Sequence, residues 1–288
     1  MTEPFIRVEG LYFTYSAGGE QPVPALRGID LEIAAGEYVV IVGHNGSGKS
    51  TLARHFNALL LPSAGRVLVA GMDTRDPKHT LTIRQRVGMV FQEPDNQIIG
   101  TVVEEDTAFG PENLGVPPAE LRERVRWALE QVGLWQERGR APNLLSAGQK
   151  QRLAIAGVLA MRPACVVLDE ATALLDPAGR AEVLAVVRRL HAAGTTIVAI
   201  THLMEEAVEA DRVLVLSAGR LALSGAPADV FAQGAALREL RLQPPAPARL
   251  AEAVHRRCPA LSPHCLTVPT LADAIAALAQ PAAGAMHG

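Results

Sequence analysis

Short apolar runs alternate with polar residues over the first 40 positions of the chain. The runs are Ile6 and Val8, then Leu11, Phe13 and Tyr15, and then Ile29, Leu31 and Ile33. A GlyGly pair and prolines interrupt them. Alternation with a period of two is typical of strands that bury one face, so this region is predicted to form an antiparallel β-region.

A different pattern begins at residues 39–42, where Val, Val, Ile and Val form a continuous β-branched run. Such a run is typical of a strand that is buried on both faces of a sheet. Glycines follow at once, and from Ser50 the apolar residues Leu52, Phe56 and Leu59 recur at helical spacing. The sequence therefore predicts a strand, a glycine-rich loop and a helix.

Three later apolar runs predict further buried strands, at residues 165–168, 196–200 and 213–216. A helical segment, Ala181 to Leu190, separates the first two. Alternating strands and helices are typical of a mostly parallel sheet, so the predicted fold class is α/β.

Residues 118–133 predict an amphipathic helix. Its apolar face carries Leu121, Val125, Ala128, Leu129 and Val132. The arginines and glutamates opposite are interpreted as a solvated face, with a nucleic-acid surface as the alternative. The net charge is −3, from 27 basic and 30 acidic residues, and gives no electrostatic reason to expect nucleic acid as a partner.

The composition changes after about residue 234, where the proline-rich link QPPAPARL precedes two predicted short helices, Leu250 to Arg257 and Leu271 to Ala279. We therefore predict one large domain over 5–234 and a small helical appendage over 235–288. A chain of 288 residues, 49% of them hydrophobic, can bury a core of that size.

Three cysteines, Cys165, Cys258 and Cys265, form neither a disulfide framework nor a metal-ligand spacing, which favours a reducing cytosol. The start MTEPFIRVEG does not resemble a signal peptide, and no uncharged apolar stretch reaches the roughly 18 residues of a membrane span. Any membrane role is expected to come through a partner.

The loop 43-GHNGSGKS-50 matches the phosphate-binding pattern G-x-x-x-x-G-K-[ST] and lies between a predicted strand and a predicted helix. Glycines let backbone N–H groups surround phosphate oxygens, and the helix start adds partial positive charge. Lys49 is expected to bridge the β- and γ-phosphates, and the hydroxyl of Ser50 to bind Mg²⁺. The alternative is a glycine turn with a surface lysine. The predicted nucleotide-binding residues here are Gly43, His44, Asn45, Gly46, Ser47, Gly48, Lys49, Ser50 and Thr51.

The run 166-VVLDEAT-172 ends a predicted strand in two acids, where α/β sheets place their ligands. Asp169 is suited to hold Mg²⁺ through water, and Glu170 to polarise an attacking water. His202 follows another strand of the same sheet and is expected to meet the γ-phosphate. Gln92 offers a neutral amide to Mg²⁺ or water. Taken alone, such an acid pair often only caps the following helix.

These motifs, with 145-LSAGQKQR-152 and 174-LLDP-177, resemble in order and spacing the ATPase subunit of an ATP-binding cassette (ABC) transporter over residues 5 to about 230. The resemblance implies a P-loop NTPase fold with a RecA-like sheet, an antiparallel β-subdomain and a helical subdomain, with ATP and Mg²⁺ as cofactors. ATP is then held between two subunits. The residues implied to contact it besides the loop are Tyr15, which stacks on adenine, and Ser146, Gly148, Gln149 and Asp176, which reach the opposite site.

The sequence departs from the family pattern at Ala147, and Tyr15 has an alternative interpretation. Ala147 replaces the first glycine of the usual LSGGQ, which leaves Gly148 free and affects how closely the backbone approaches at position 147. Tyr15 has the alternative of a core β-residue.

A narrower resemblance links 90-VFQEPDNQIIGTVVEEDTAFGPENLGVP-117, the run 149-QKQRLAIAGVLAMRP-163 and the appendage to ATPases of energy-coupling factor (ECF) transporters and their cobalt or nickel relatives. It implies a peripheral protein at the cytoplasmic face of the membrane, which drives a transmembrane coupling protein and a substrate-capture membrane protein. Residues 94–100 are then a docking segment, with an ordinary loop as the alternative. The resemblance also implies that the appendage adds ATPase dimer contacts. It leaves open a vitamin or a metal ion as the substrate, and a homodimer or a heterodimer.

Other ABC proteins remain as alternatives. A DNA-repair type would need a coiled-coil insertion between Lys49 and Ser146, which are only 97 positions apart (146 − 49) and show no sustained heptads. A translation-factor type would carry two cassettes in one chain. A regulatory module that binds ATP without turnover would be expected to lack Glu170 or His202.

Overall fold

The structure is a computed structural model that describes residues 3–16 and 22–279. The GlyGly pair of the sequence prediction and the last residues of the predicted appendage, 280–288, lie outside the described part. The strands are β1 (Ile6–Tyr15), β2 (Val23–Ile33), β3 (Tyr38–Val42), β4 (Ala64–Val69), β5 (Met72–Asp73), β6 (Val87–Val90), β7 (Cys165–Asp169), β8 (Thr196–Ile200), β9 (Arg212–Ser217) and β10 (Arg220–Gly225). The α-helices are α1 (Lys49–Phe56), α2 (Thr80–Arg86), α3 (Val103–Asn113), α4 (Pro118–Gln131), α5 (Ala147–Ala160), α6 (Pro177–Ala192), α7 (Pro227–Phe231), α8 (Gly234–Glu239), α9 (Ala246–His255) and α10 (Val268–Ala279).

The larger sheet has six strands in the order β10-β9-β3-β8-β7-β6. All neighbours from β9 to β6 pair in parallel, and β10 closes the edge as an antiparallel hairpin partner of β9. The continuous apolar runs of the sequence form these strands because both faces of the sheet are covered. Alternate residues of β3 accordingly contribute to different cores: Val40 and Val42 to one, Val39 and Ile41 to the other.

The predicted antiparallel β-region is the smaller sheet, in the order β2-β1-β4-β5. Its first two apolar runs join into one strand, β1, which pairs with β2 in a register that shifts at Leu11 and again near Thr14. The buried face of this sheet and helix α1 share a core with one face of the larger sheet. The smaller sheet therefore supports the loop that leads into α1.

Helices α3, α4 and α5 cover the other face of the larger sheet. The predicted helix 118–133 is α4, and its buried residues Val125, Ala128 and Leu129 belong to the predicted apolar face. The helix after the phosphate loop is shorter than predicted. It ends at Phe56, and Ala58 takes a left-handed backbone conformation (φ 54°). Leu59 therefore lies beyond the helix with 43% of its surface exposed, and its prediction as a helix-face residue was wrong.

The C-terminal residues pack into two different hydrophobic cores. Leu237 and Leu242, in and after α8, belong to the large core of the main sheet. Helices α9 and α10 correspond to the two predicted short helices, each beginning a few residues earlier than predicted. They enclose a small core of their own, formed by Ala251, Leu261, Cys265 and Leu271. No helix among the described residues has the length and apolar character that crossing a bilayer requires.

Candidate active site

The phosphate loop joins the end of β3 to the start of α1, as the sequence predicts. Gly46 and Gly48 have φ values of 78° and 104°, in the left-handed region where residues with a Cβ are strained. At Gly48 a Cβ would also lie 2.8 Å from the carbonyl oxygen of Ala25. The glycines thus allow a loop that turns its N–H groups and the first turn of α1 toward one concave surface.

Lys49 is buried at the centre of this surface. Its Nζ donates hydrogen bonds to the carbonyl oxygens of Gly43, at 2.9 Å, and His44, at 3.3 Å. Burial lowers the pKa of Lys49, and the negative charges of Glu170 and Asp169 act in the opposite direction. The loop therefore fixes a cation beside the place where a phosphate would be held.

Ser50 and Asp169 meet across the sheet edge, where the hydroxyl of Ser50 donates to Oδ1 of Asp169 at 2.7 Å. Burial raises the pKa of Asp169, whereas the hydrogen bond from Ser50 lowers it. The described residues contain no group of three or more His, Cys, Asp and Glu side chains that could hold a metal by themselves. A hydroxyl and one carboxylate do fit Mg²⁺, which prefers oxygen ligands and completes its shell with water and substrate phosphate.

Glu170 has a left-handed backbone (φ 51°), which is uncommon for a residue with a side chain. Its N–H donates to the carbonyl oxygen of Ile200 in the neighbouring strand at 3.0 Å. Its carboxylate lies 3.8 Å from Nζ of Lys49 and 3.7 Å from Nδ1 of His202. Strain of this kind persists only where the surroundings enforce it, and it concentrates at functional sites.

One cavity of about 380 Å³ unites most of these groups. Its lining comes from the phosphate loop, the start of α1 and the ends of two parallel strands. The lining residues are Asn45, Gly46, Gly48, Lys49, Ser50, Thr51, Gln92 and Glu170. The topology thus brings Gln92 and Glu170, predicted separately from the sequence, to the phosphate loop.

Tyr15 lies near this cavity at the end of β1. Its hydroxyl is 3.1 Å from Oγ1 of Thr51, and its ring packs edge-on against Phe13 with centroids 4.9 Å apart. The side chain is 41% exposed, so Tyr15 is not a fully buried core residue. A ring that is supported on one side and open on the other fits a stacking platform.

The residues implied to reach a second subunit occupy a separate place. Ser146 is the N-cap of α5 and forms a capping box with Gln149: its Oγ accepts from the Gln149 N–H at 3.2 Å, and its N–H donates to Gln149 Oε1 at 2.9 Å. The next two N–H groups, of Ala147 and Gly148, have no acceptor within the helix and can receive an anion. None of these residues lines the cavity around Lys49.

Asp176 is the N-cap of α6 and accepts from the Gly179 N–H at 2.8 Å. The starts of α5 and α6 lie in close contact. A Cβ added to Gly148 would lie only 3.2 Å from Cα of Gly179. Ala147 is exposed, whereas Gly148 is buried in this contact. The departure from LSGGQ therefore falls where a methyl group has room.

Sequence reasoning missed the residues that tie α5 to the segment after Gln92. Gln151 is 1% exposed, and its Nε2 donates to the carbonyl oxygen of Phe91 at 3.3 Å. Lys150 forms an ion pair with Asp95 at 2.6 Å. A glutamine on the buried side of a helix was the available signal, because a buried amide needs a partner.

Comparison with known proteins identifies the class. The sequence model of the ABC transporter family matches residues 26–173. The energy-coupling factor transporter ATP-binding protein EcfA1 of Symbiobacterium thermophilum is 58% identical over 96% of this chain and 99% of its own length. The EcfA1 of Clostridium novyi is 47% identical over 96% of this chain and 100% of its own length.

Solved structures agree with this class. The structure of cbiO1 from Clostridium perfringens, described as part of the ABC transporter complex cbiONQ, has 39% identity and a TM-score of 0.74 over 83% of this chain and 95% of that chain. The dimeric ATP-binding cassette MJ0796, bound to ADP and Pi, has 29% identity and a TM-score of 0.69 over 77% of this chain and 98% of that chain.

The sheet and the phosphate loop define an ATP-binding cassette ATPase. The chain belongs to the ABC transporter family and, within it, to the energy-coupling factor transporter ATP-binding proteins. The predicted fold class, the family resemblance and the transport-coupled ATPase activity are thereby confirmed.

Proposed function

We propose that the cavity around Lys49 is the place where this chain hydrolyses ATP, and that Glu170 is the group that orients and deprotonates the attacking water. The observation that carries this proposal is the convergence of Lys49 and His202 on the Glu170 carboxylate, at 3.8 and 3.7 Å. Lys49 and the loop N–H groups compensate the charge of the phosphates. His202, 47% exposed, is free to contact the γ-phosphate.

Mg²⁺ is proposed to bind at Ser50 and Asp169, with Gln92 as a further oxygen donor. When bound, it would neutralise phosphate charge as a Lewis acid. The Ser50 hydroxyl donates to Asp169, so the two proposed ligands lie together. Tyr15 is proposed to stack on the adenine, with the Thr51 hydroxyl fixing its orientation.

The ATP is proposed to be enclosed by two subunits. Support comes from the separation within one chain: Ser146 and Asp176 are exposed helix caps that do not line the cavity around Lys49. The Ser146 hydroxyl and the N–H groups at the start of α5 would meet the γ-phosphate of the partner's ATP. The exposed apolar side chains Val268, Ile275 and Leu278 of α10 support dimer contacts by the appendage, 235–288.

The partner proteins are proposed to be a transmembrane coupling protein and a small substrate-capture membrane protein, with this chain peripheral at the cytoplasmic face. Ile99 and Phe109 are 57% and 50% exposed near the segment 94–100, which supports docking there. The imported substrate is proposed to be a vitamin or a transition-metal ion. The similarity to a part of the cbiONQ complex supports this kind of assembly.

Glu170→Gln tests the catalytic assignment. The amide keeps the size of the side chain but cannot accept a proton, so the ATPase rate is expected to fall by about 100-fold or more. ATP binding, measured with a fluorescent analogue, should stay within about twofold because the phosphate loop is intact. Glu205→Gln, at an exposed glutamate, is the matched control. Undiminished turnover in Glu170→Gln would remove Glu170 from the role.

A further inference from the structure

Glu206 is a buried carboxylate outside the cavity around Lys49. Its side chain is only 8% exposed. It accepts a hydrogen bond from the hydroxyl of Thr172 at 2.6 Å, and Nε of Arg180 lies 3.7 Å away. Burying a carboxylate is unfavourable unless its partners are well placed, and apolar residues would fill the same space at lower cost. The burial of the Glu206 carboxylate therefore suggests that this side chain has a role besides packing.

The three groups in this contact come from three segments that each carry a site residue. Thr172 lies two positions after Glu170 (172 − 170), and Glu206 four positions after His202 (206 − 202). Arg180 lies four positions after Asp176 (180 − 176), on the first turns of α6. One carboxylate thus joins the ends of β7 and β8 to the helix that Asp176 caps.

The turn at Glu170 is tied to the β8 side at two points. The N–H of Glu170 donates to the carbonyl oxygen of Ile200, before His202, and the hydroxyl of Thr172 donates to Glu206, after His202. A left-handed backbone at a glutamate needs such enforcement from its surroundings. The two ties set the separation of the Glu170 carboxylate and the His202 ring.

We propose that Glu206 is a positioning residue for the ATPase reaction: through Thr172 and Arg180 it holds Glu170, His202 and Asp176 in one arrangement. The proposal rests on the roles assigned above to those three residues. Glu206 and Thr172 themselves touch neither nucleotide nor water in the reaction. Their loss displaces the carboxylate of Glu170 without altering the phosphate loop.

Thr172→Val in the full chain, assayed with Mg²⁺ and ATP, is the first test. Valine has nearly the shape of threonine and removes only the hydroxyl. Because small displacements of a catalytic group are costly, kcat is expected to fall about tenfold or more. The KM for ATP and the affinity for a fluorescent analogue should stay within about twofold, since Lys49 is unaffected. Thr172→Ser keeps the hydroxyl and should restore kcat.

Thr196→Val is the matched control. Thr196 is 1% exposed, and its Oγ1 accepts from the Gly36 N–H at 2.9 Å, but it begins β8 and so lies at the opposite end of that strand from His202. Both valine variants should lower the melting temperature. Only Thr172→Val should lower kcat of the folded protein. An equal fall of kcat in Thr172→Val and Thr196→Val would show that Thr172 has only a structural role.

A double-mutant cycle with Glu206→Ala completes the test. If the two side chains act through one contact, Thr172→Val combined with Glu206→Ala should lower kcat no further than the larger single change. Additive losses of kcat would contradict the shared contact.

Wild-type kcat in Thr172→Val would overturn the positioning role whatever Glu170→Gln shows. Undiminished turnover in Glu170→Gln instead overturns the assignment of the reacting carboxylate.

Discussion

At the scale of single residues, the candidate site contains two buried charged groups, Lys49 and Asp169. Lys49 is held by two loop carbonyl oxygens, and Asp169 by the Ser50 hydroxyl. The chain's own contacts therefore fix these side chains, and groups that are fixed in advance reduce the reorganisation that a reaction requires.

His55 provides a residue-scale prediction on pH. It is fully buried in α1, its Nδ1 is 2.7 Å from the Thr51 carbonyl oxygen, and burial lowers its pKa below 6.5. The unfolded chain therefore binds a proton at this residue that the folded chain does not, and stability falls as the pH drops below about 6.5.

Between pH 7.5 and 5.5 this single residue is expected to remove at most about 1.4 kcal/mol from the free energy of unfolding. Denaturant titrations across that range measure the slope. His55→Leu should flatten the slope, whatever its effect on stability at pH 7.5. A slope that is unchanged in His55→Leu would assign the pH dependence to other groups.

At the scale of elements, α5 and α6 begin side by side and are capped by Ser146 and Asp176. A Cβ at Gly179 would lie 2.8 Å from Oδ1 of Asp176 and 3.5 Å from Cα of Gly148. These glycines therefore bring the two helix starts together. The helices that Ser146 and Asp176 cap are therefore in contact at their first turns.

Gly179→Ala tests this contact. The methyl group is expected to displace the Asp176 carboxylate from its cap, at a cost of about 1 kcal/mol in the free energy of unfolding. ATP-driven dimer formation, followed by size-exclusion chromatography in the Glu170→Gln background, should weaken. Gly139→Ala is the control, because a Cβ there meets no atom within 4 Å. Dimerisation equal to that of the control variant would argue against the contact.

The elements differ in how far the sequence could predict them. Continuous apolar runs predicted the ends of β3, β7, β8 and β9 to within about one residue. Strands that are buried on both faces have a strong sequence signal. Helix α3 was not predicted: Gly110 and Pro111 interrupt its pattern, and packing on α5 decides its conformation. The phosphate loop and the acids of the site were predicted from motifs, whereas the Glu206 contact joins residues 34 positions apart along the chain and has no local pattern.

At the scale of the whole molecule, the chain carries the cavity around Lys49, here called the cradle, and the start of α5, here called the cap. Ser146 does not line the cradle of its own chain, and we propose that the cap completes the cradle of a partner chain. Mixing two inactive variants tests whether copies of this chain complete each other. Lys49→Ala disables the cradle, and Ser146→Arg blocks the cap. A mixed dimer would contain one site with both changes and one site with neither.

Equal mixing is expected to recover about a quarter of the wild-type ATPase rate, because half of the random dimers are mixed and each has one intact site out of two. Each variant alone should remain inactive. The same variants mixed after covalent crosslinking of each separate population provide the control, since no exchange can occur. Absence of recovery in the free mixture would contradict pairing between copies of this chain.

Helix α5 gives this architecture a mechanical consequence. Ser146, which caps it, and Gln151, which donates to the Phe91 carbonyl oxygen, are separated by about 7.5 Å of helical rise, or about 1.4 turns. A hydrogen-bonded helix is stiff over that length, so a displacement of its first turn is expected to carry Gln151 with it. Under the proposed two-subunit site, nucleotide bound at Ser146 is expected to shift the backbone at Phe91, next to Gln92, in the same chain.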